Sequence, residues 1–271
     1  MTGANHVACL SMQKTGDAKL LPRRFFGCDS SQRKAFSLVE LLVVVASTLT
    51  LASFFMPTFV GAAEKTRRAT CRDHLRQFLV GVQAYANDNF ARLPSGRLES
   101  NDRRDECVTV IAAGTRDTLL QYTGNARLLA CPNLTRPFDR PQGWRFHEHG
   151  IALGYNYLGG HSGTPWTATG GCTNWVSPQT EHDDGALTLI TDINDWSPAS
   201  GKAFATHSNR GLVIKNDDAD NGAVYTTSRD IGAAGGNIGL LDGSVAWKSI
   251  RQMQNFDGSR FWGYSGCLAA W

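Results

Sequence analysis

No two of the seven cysteines form a CxxC pair, so the sequence offers neither a zinc ribbon nor a thioredoxin-type redox centre. Histidine is scarce, seven in 271 residues, and no pair stands one helical turn apart around a glutamate, as a zinc protease requires. The formal net charge is only +3, which gives nucleic-acid binding no support from bulk charge. No repeat of fixed period is present.

What the sequence does have is an apolar run. From Phe36 to Val60 the only charged residue is Glu40, and Leu41 to Val60 is uncharged. That length suits one bilayer-spanning helix, so the expectation is a transmembrane helix over residues 36–60. A carboxylate near one end of such a helix is costly and implies a partner. Residues 1–35 carry Lys14, Lys19, Arg23, Arg24, Arg33 and Lys34 against Asp17 and Asp29. They read as a basic leader left on the cytoplasmic side. Pro57, with Gly61 close behind it, predicts a bend or loosened turn in the helix.

The helix then changes character. Cys71, Leu75, Phe78, Leu79, Val82, Tyr85 and Ala86 recur at three- and four-residue steps, with Arg68, Arg72, Arg76, Gln77 and Gln83 off the stripe. This is an amphipathic helix over 61–93 with one face to bury, ending near Asn87 to Asn89. After Pro94 short apolar runs are cut by Gly, Pro, Asn and Asp, and strand candidates lie at 186–193, 211–214 and 224–227. Leu128 to Cys131 reads as a short extended piece. Asn237 to Ile250 carries Asp242-Gly243 between two β-prone runs, which predicts a hairpin with a type I′ turn. The fold class expected is α+β: a long, partly transmembrane N-terminal α-helix packed on an antiparallel β-sheet domain, 94–271, with long ordered loops.

Ala35-Phe36-Ser37-Leu38-Val39-Glu40-Leu41 resembles the type IV prepilin signature: a basic leader, a small residue before the cut, Phe first and Glu fifth in the mature chain, then an apolar helix. The resemblance implies cleavage by a prepilin peptidase between Ala35 and Phe36, N-methylation of Phe36, and an assembly role for Glu40, whose carboxylate would meet the amine of a neighbouring Phe36. The family prefers Gly where Ala35 stands. Downstream, Arg68 to Pro94, Cys131-Pro132, Gly154-Tyr155-Asn156-Tyr157 and Asn237 to Trp247 look like pseudopilin-like proteins with a prepilin-type processing-associated C-terminal domain. In that group a His precedes the Asp-Gly by nine intervening residues, and this chain has Gly232 there. Cys71 and Cys131 are a candidate disulfide pair; the five cysteines beyond the leader permit up to two disulfides in an oxidising compartment, with the connectivity open. The function implied is a non-enzymatic fibre subunit of a type II secretion or type IV pilus-like system. It would sit as a single-pass protein in the inner membrane with its C-terminal domain extracytoplasmic, and its partners would be the prepilin peptidase and methylase, other pilin-like subunits and the membrane.

Other clusters admit other chemistry. His147-Glu148-His149 and His182-Asp183-Asp184, with Asp192, Asp195 and His207, carry ligand types suited to zinc, against a reading as solvated loop residues and strand caps. Asp217, Asp218 and Asp220 lie in an oxygen-rich loop that is a candidate for calcium, against an Asx-rich turn. Trp144, Tyr155, Tyr157, Trp166 and Trp175 would either plug irregular loops or form the surface of an anchored binding module, the alternative function.

Overall fold

The structure, a computed structural model, describes residues 36–99, 105, 107–134, 144–146, 148–162, 171–216, 227–259 and 266–271, and of residues 55–60 the helical backbone alone. Ala35, Trp166, His147 and the calcium candidates Asp217, Asp218 and Asp220 lie outside the described residues.

Helix α1 runs from Leu38 to Asp88, 51 residues, and its assignment is unbroken across Pro57. Its start is a variant of the capping box, the hydroxyl reaching the second helical N–H rather than the third. The Ser37 hydroxyl accepts the Val39 N–H at 3.3 Å, and Glu40 Oε2 accepts the Ser37 N–H at 2.9 Å. The chain divides into two compact units, Met1–Thr50 and Leu51–Trp271, and the boundary falls inside α1. The described side chains from Phe36 to Phe54 are all exposed, Phe36 at 84%.

The expected fold class is corrected at its membrane part: among the described residues no helix is long and apolar enough to cross a membrane. The apolar stretch from Leu41 to Val60 is the first part of α1, which runs on from it into charged residues beginning at Glu64. Ser47, Thr48 and Thr50 within it turn their hydroxyls back onto helix carbonyls at 2.9 Å.

The second unit is mostly antiparallel sheet. Strands β1 (Val110–Ile111), β2 (Trp144–Phe146) and β3 (Gly150–Ala152) form one sheet, ordered β1-β3-β2, with helix α2 (Ala113–Thr123) following β1. Strands β4 (Asn156–Tyr157), β5 (Thr188–Thr191), β9 (Gly235–Leu240) and β10 (Val245–Ser249) form a second, ordered β10-β9-β5-β4. Strands β6 (Asn194–Ser197), β7 (Lys202–Ala205), β8 (Val213–Asn216), β11 (Asn255–Ser259) and β12 (Cys267–Ala270) form the third, ordered β11-β12-β6-β7-β8.

The stripe on α1 does what its period requires. Cys71, Leu75, Phe78, Leu79, Val82 and Ala86 are buried against Tyr155, Tyr157, Leu189, Ile190 and Val245, while Arg72, Arg76 and Gln77 stay exposed. Tyr85, at the stripe's edge, meets Tyr122 edge-on at 5.4 Å. A second core gathers Trp196, Ile231, Phe256 and Trp271.

Two local expectations differ. Ala126–Leu129 is a 3-10 turn rather than an extended piece, because Asn125 caps it by accepting the Arg127 N–H at 3.0 Å. The β9–β10 hairpin forms, but only Gly243 of its turn has positive φ, at 86°. Asp242 is held out of the left-handed region by its own Oδ1, which accepts the Ser244 N–H at 2.8 Å.

Candidate metal centre

Four side chains that chemistry can use converge beneath α1. Cys71 comes from the helix stripe, Cys131 from the loop after the 3-10 turn, Asp192 from the loop leaving β5, and His207 from the loop leaving β7. One ligand atom from each lies within 4.8 Å of the others, and all four residues are buried. Cys71 Sγ donates to Asp192 Oδ1 at 2.9 Å. Cys131 Sγ and His207 Nε2 are 3.3 Å apart, and that nitrogen is 3.5 Å from Asp192 Oδ2.

A surrounding layer fixes these groups. Glu64 Oε1 lies 2.7 Å from His207 Nδ1 although Glu64 is only 2% exposed. Its carboxylate also receives Arg68 Nε at 3.2 Å and Asn133 Nδ2 at 2.9 Å. Arg68 stacks over Trp247 at 4.4 Å, and Trp247 meets the His207 ring edge-on at 5.7 Å. Asp192 Oδ2 accepts both the backbone N–H and the side-chain amide of Asn237, at 2.7 and 2.9 Å.

Burial pushes the Cys71 thiol well above its ordinary range, and its neighbours Cys131 and Asp192 add to the rise. Burial would raise Cys131 too, but its hydrogen bonds with Cys71 and His207 outweigh that and lower it. Burial works against a charged His207, yet the Cys131 hydrogen bond and the Asp192 charge prevail and push it up to about 9. Cys131, His207 and Glu64 thus line up as a nucleophile, base and orienting acid would. Cys131 is 1% exposed and His207 fully buried. The donor set, two sulfurs, one imidazole and one carboxylate, suits a divalent metal.

Of the residues singled out from the sequence, Asp192 and His207 come together. Their company is Cys71 and Cys131 rather than the other histidines and acids. His182 and Asp184 are exposed, and Asp183 closes its own turn by accepting the Gln179 and Thr180 N–H groups at 2.6 and 3.1 Å. Asp195 is buried elsewhere, accepting from Asn156 Nδ2 at 2.8 Å. Cys71 and Cys131, the candidate disulfide pair, are both free thiols. The loop holding His207 runs beside the segment that carries Gly232, with the Ala234 N–H donating to the His207 carbonyl at 2.9 Å. Tyr155, Tyr157 and Trp175 are buried, and Trp144 is 40% exposed. Glu64 escaped the sequence reading, although its place seven residues, two helical turns, before Cys71 on α1 puts it on the same face.

No protein-family model matches the chain, and neither a curated protein nor a solved structure matches it.

Proposed function

We propose that this chain is a pilin-like structural subunit, cut by a prepilin peptidase between Ala35 and Phe36, methylated on Phe36, and assembled through the start of α1 into a type II secretion or type IV pilus-like fibre. The supporting observation is the exposure of that helix. Leu38, Val39, Leu41, Leu42, Val43 and Val44 all present more than half of their surface, and a contiguous apolar stretch of that extent marks an interaction surface. Like segments of neighbouring subunits, packed side by side, would cover it.

Glu40 has two roles to separate, because its carboxylate already serves the helix's own Ser37 N–H. Glutamine at that position keeps the capping box and removes the charge. If Glu40 pairs with a neighbour's terminal amine, Glu40→Gln and Glu40→Ala both lose fibre incorporation, while the Gln variant keeps its helix content by circular dichroism. Wild-type incorporation of both variants would remove the assembly role, and mass spectrometry that finds a mature N-terminus other than methylated Phe36 would remove the processing step.

A further inference from the structure

We infer that Cys71, Cys131, Asp192 and His207 bind one zinc ion as a closed structural site that ties α1 to the β-rich body. The first support is dimensional. Zinc–sulfur, zinc–nitrogen and zinc–oxygen bonds of tetrahedral sites place their donors about 3.4–3.8 Å apart. The separation of 3.3 Å between Cys131 Sγ and His207 Nε2 is close to those edges. The 2.9 Å between Cys71 and Asp192 needs only a small opening.

The second support is the orientation of the groups behind the donors. A metal-bound histidine hands its other ring nitrogen to a carboxylate, which fixes the tautomer and ring plane. Glu64 Oε1 stands at His207 Nδ1 for that purpose, 2.7 Å away, and leaves Nε2 facing the two sulfurs. Asn237 holds Asp192 Oδ2 with two N–H groups, so Oδ1 is the oxygen left toward Cys71. A Cys71–Cys131 disulfide would use the sulfurs alone and give no reason for a buried His207 and two buried acids around them.

The third is closure. Four protein donors fill a tetrahedron, and sites of that kind are structural rather than catalytic. The four come from segments 60, 61 and 15 positions apart, so one ion would pin the helix, the loop after α2 and the turns leaving β5 and β7.

The test takes the full chain, purified under reducing conditions, equilibrated with zinc and dialysed. Elemental analysis should give one zinc per chain, and peptide mapping should show Cys71 and Cys131 protected from alkylation until a chelator is added, while Cys172, partly exposed, reacts in both states. His207→Gln and Cys131→Ser should drop the zinc to background. Glu64→Gln should weaken zinc binding about 10–100-fold while keeping the stoichiometry. Because the ligand variants can fail to fold, the unvaried chain is also loaded with cobalt(II), which should show sulfur-to-metal charge transfer and the intense visible bands of a tetrahedral site. Folded protein that takes up neither metal overturns the inference, as does a Cys71–Cys131 disulfide or equimolar iron or copper in protein drawn from its own cells.

Discussion

At the scale of single residues, the buried acids set the pH behaviour. Burial pushes Asp195 up to about 7, although Asn156 and Thr109 donate to it and pull the other way. Its folded value lies above its unfolded one, so the folded chain holds the proton more tightly, and stability is lost as pH rises from about 4 to about 7. The span is worth about 4 kcal/mol at 1.36 kcal/mol per unit. Asp195→Asn should melt like the wild type at pH 4 and at a higher temperature at pH 8, because the amide keeps the Asn156 bond and carries no charge. Thermal scans over that range check it, and a variant less stable at pH 8 would contradict the assignment. The same scale shows why the candidate centre was only half legible. Asp192 and His207 drew notice as ligand types, whereas Cys71 read as one step of an apolar stripe and as half of a candidate disulfide, and Glu64 drew no notice. Donors that meet across more than a hundred positions leave no local spacing to read. Glu40 is the converse case: Ser37-x-x-Glu40 spells a capping box, and the apolar run beside it directs attention to membranes instead.

At the scale of elements, α1 was the most legible part because its period is strong. Six of the seven stripe residues are buried in one cluster. Phe78, fully buried and edge-on to Tyr157 at 6.0 Å, is the sharpest probe of that packing. Phe78→Ala should cost about 3–5 kcal/mol in urea denaturation, whereas Arg76→Ala, on the exposed face with Asp73 at 3.5 Å, should stay within about 0.5 kcal/mol. The sheets were less legible. Strands of two to four residues, such as β1, β4 and β12, are too short to display an alternation, and the sequence between Cys267 and Trp271 has none. The Asp242-Gly243 hairpin was found, but its turn type was not, since the Asp242–Ser244 bond decides it.

At the scale of the whole chain, two compact units meet within one helix. Each can be examined apart. A chain beginning at Leu51 should melt within about 2 °C of the full chain, since it keeps the core under α1, the core around Trp196 and the smaller cluster of Leu98, Cys107, Val110 and Ala152. By light scattering it should stay monomeric where the full chain self-associates through its apolar start. Loss of cooperative melting in the shorter chain would show that the boundary lies elsewhere.

The order of the five-stranded sheet also sets a timetable. Strand β12 lies between β6 and β11, yet Cys267 is made 70 positions after Ser197, the last residue of β6. At 5–20 residues per second the ribosome needs roughly 4–14 s to cover that stretch. Once Asn216 completes β8, β6, β7 and β8 are available for the rest of that time as a three-stranded sheet whose β6 edge awaits its partner, a state open to pairing with another nascent chain. The vulnerable moment for this protein is therefore during synthesis, when a holdase on the edge of β6 would do the most good.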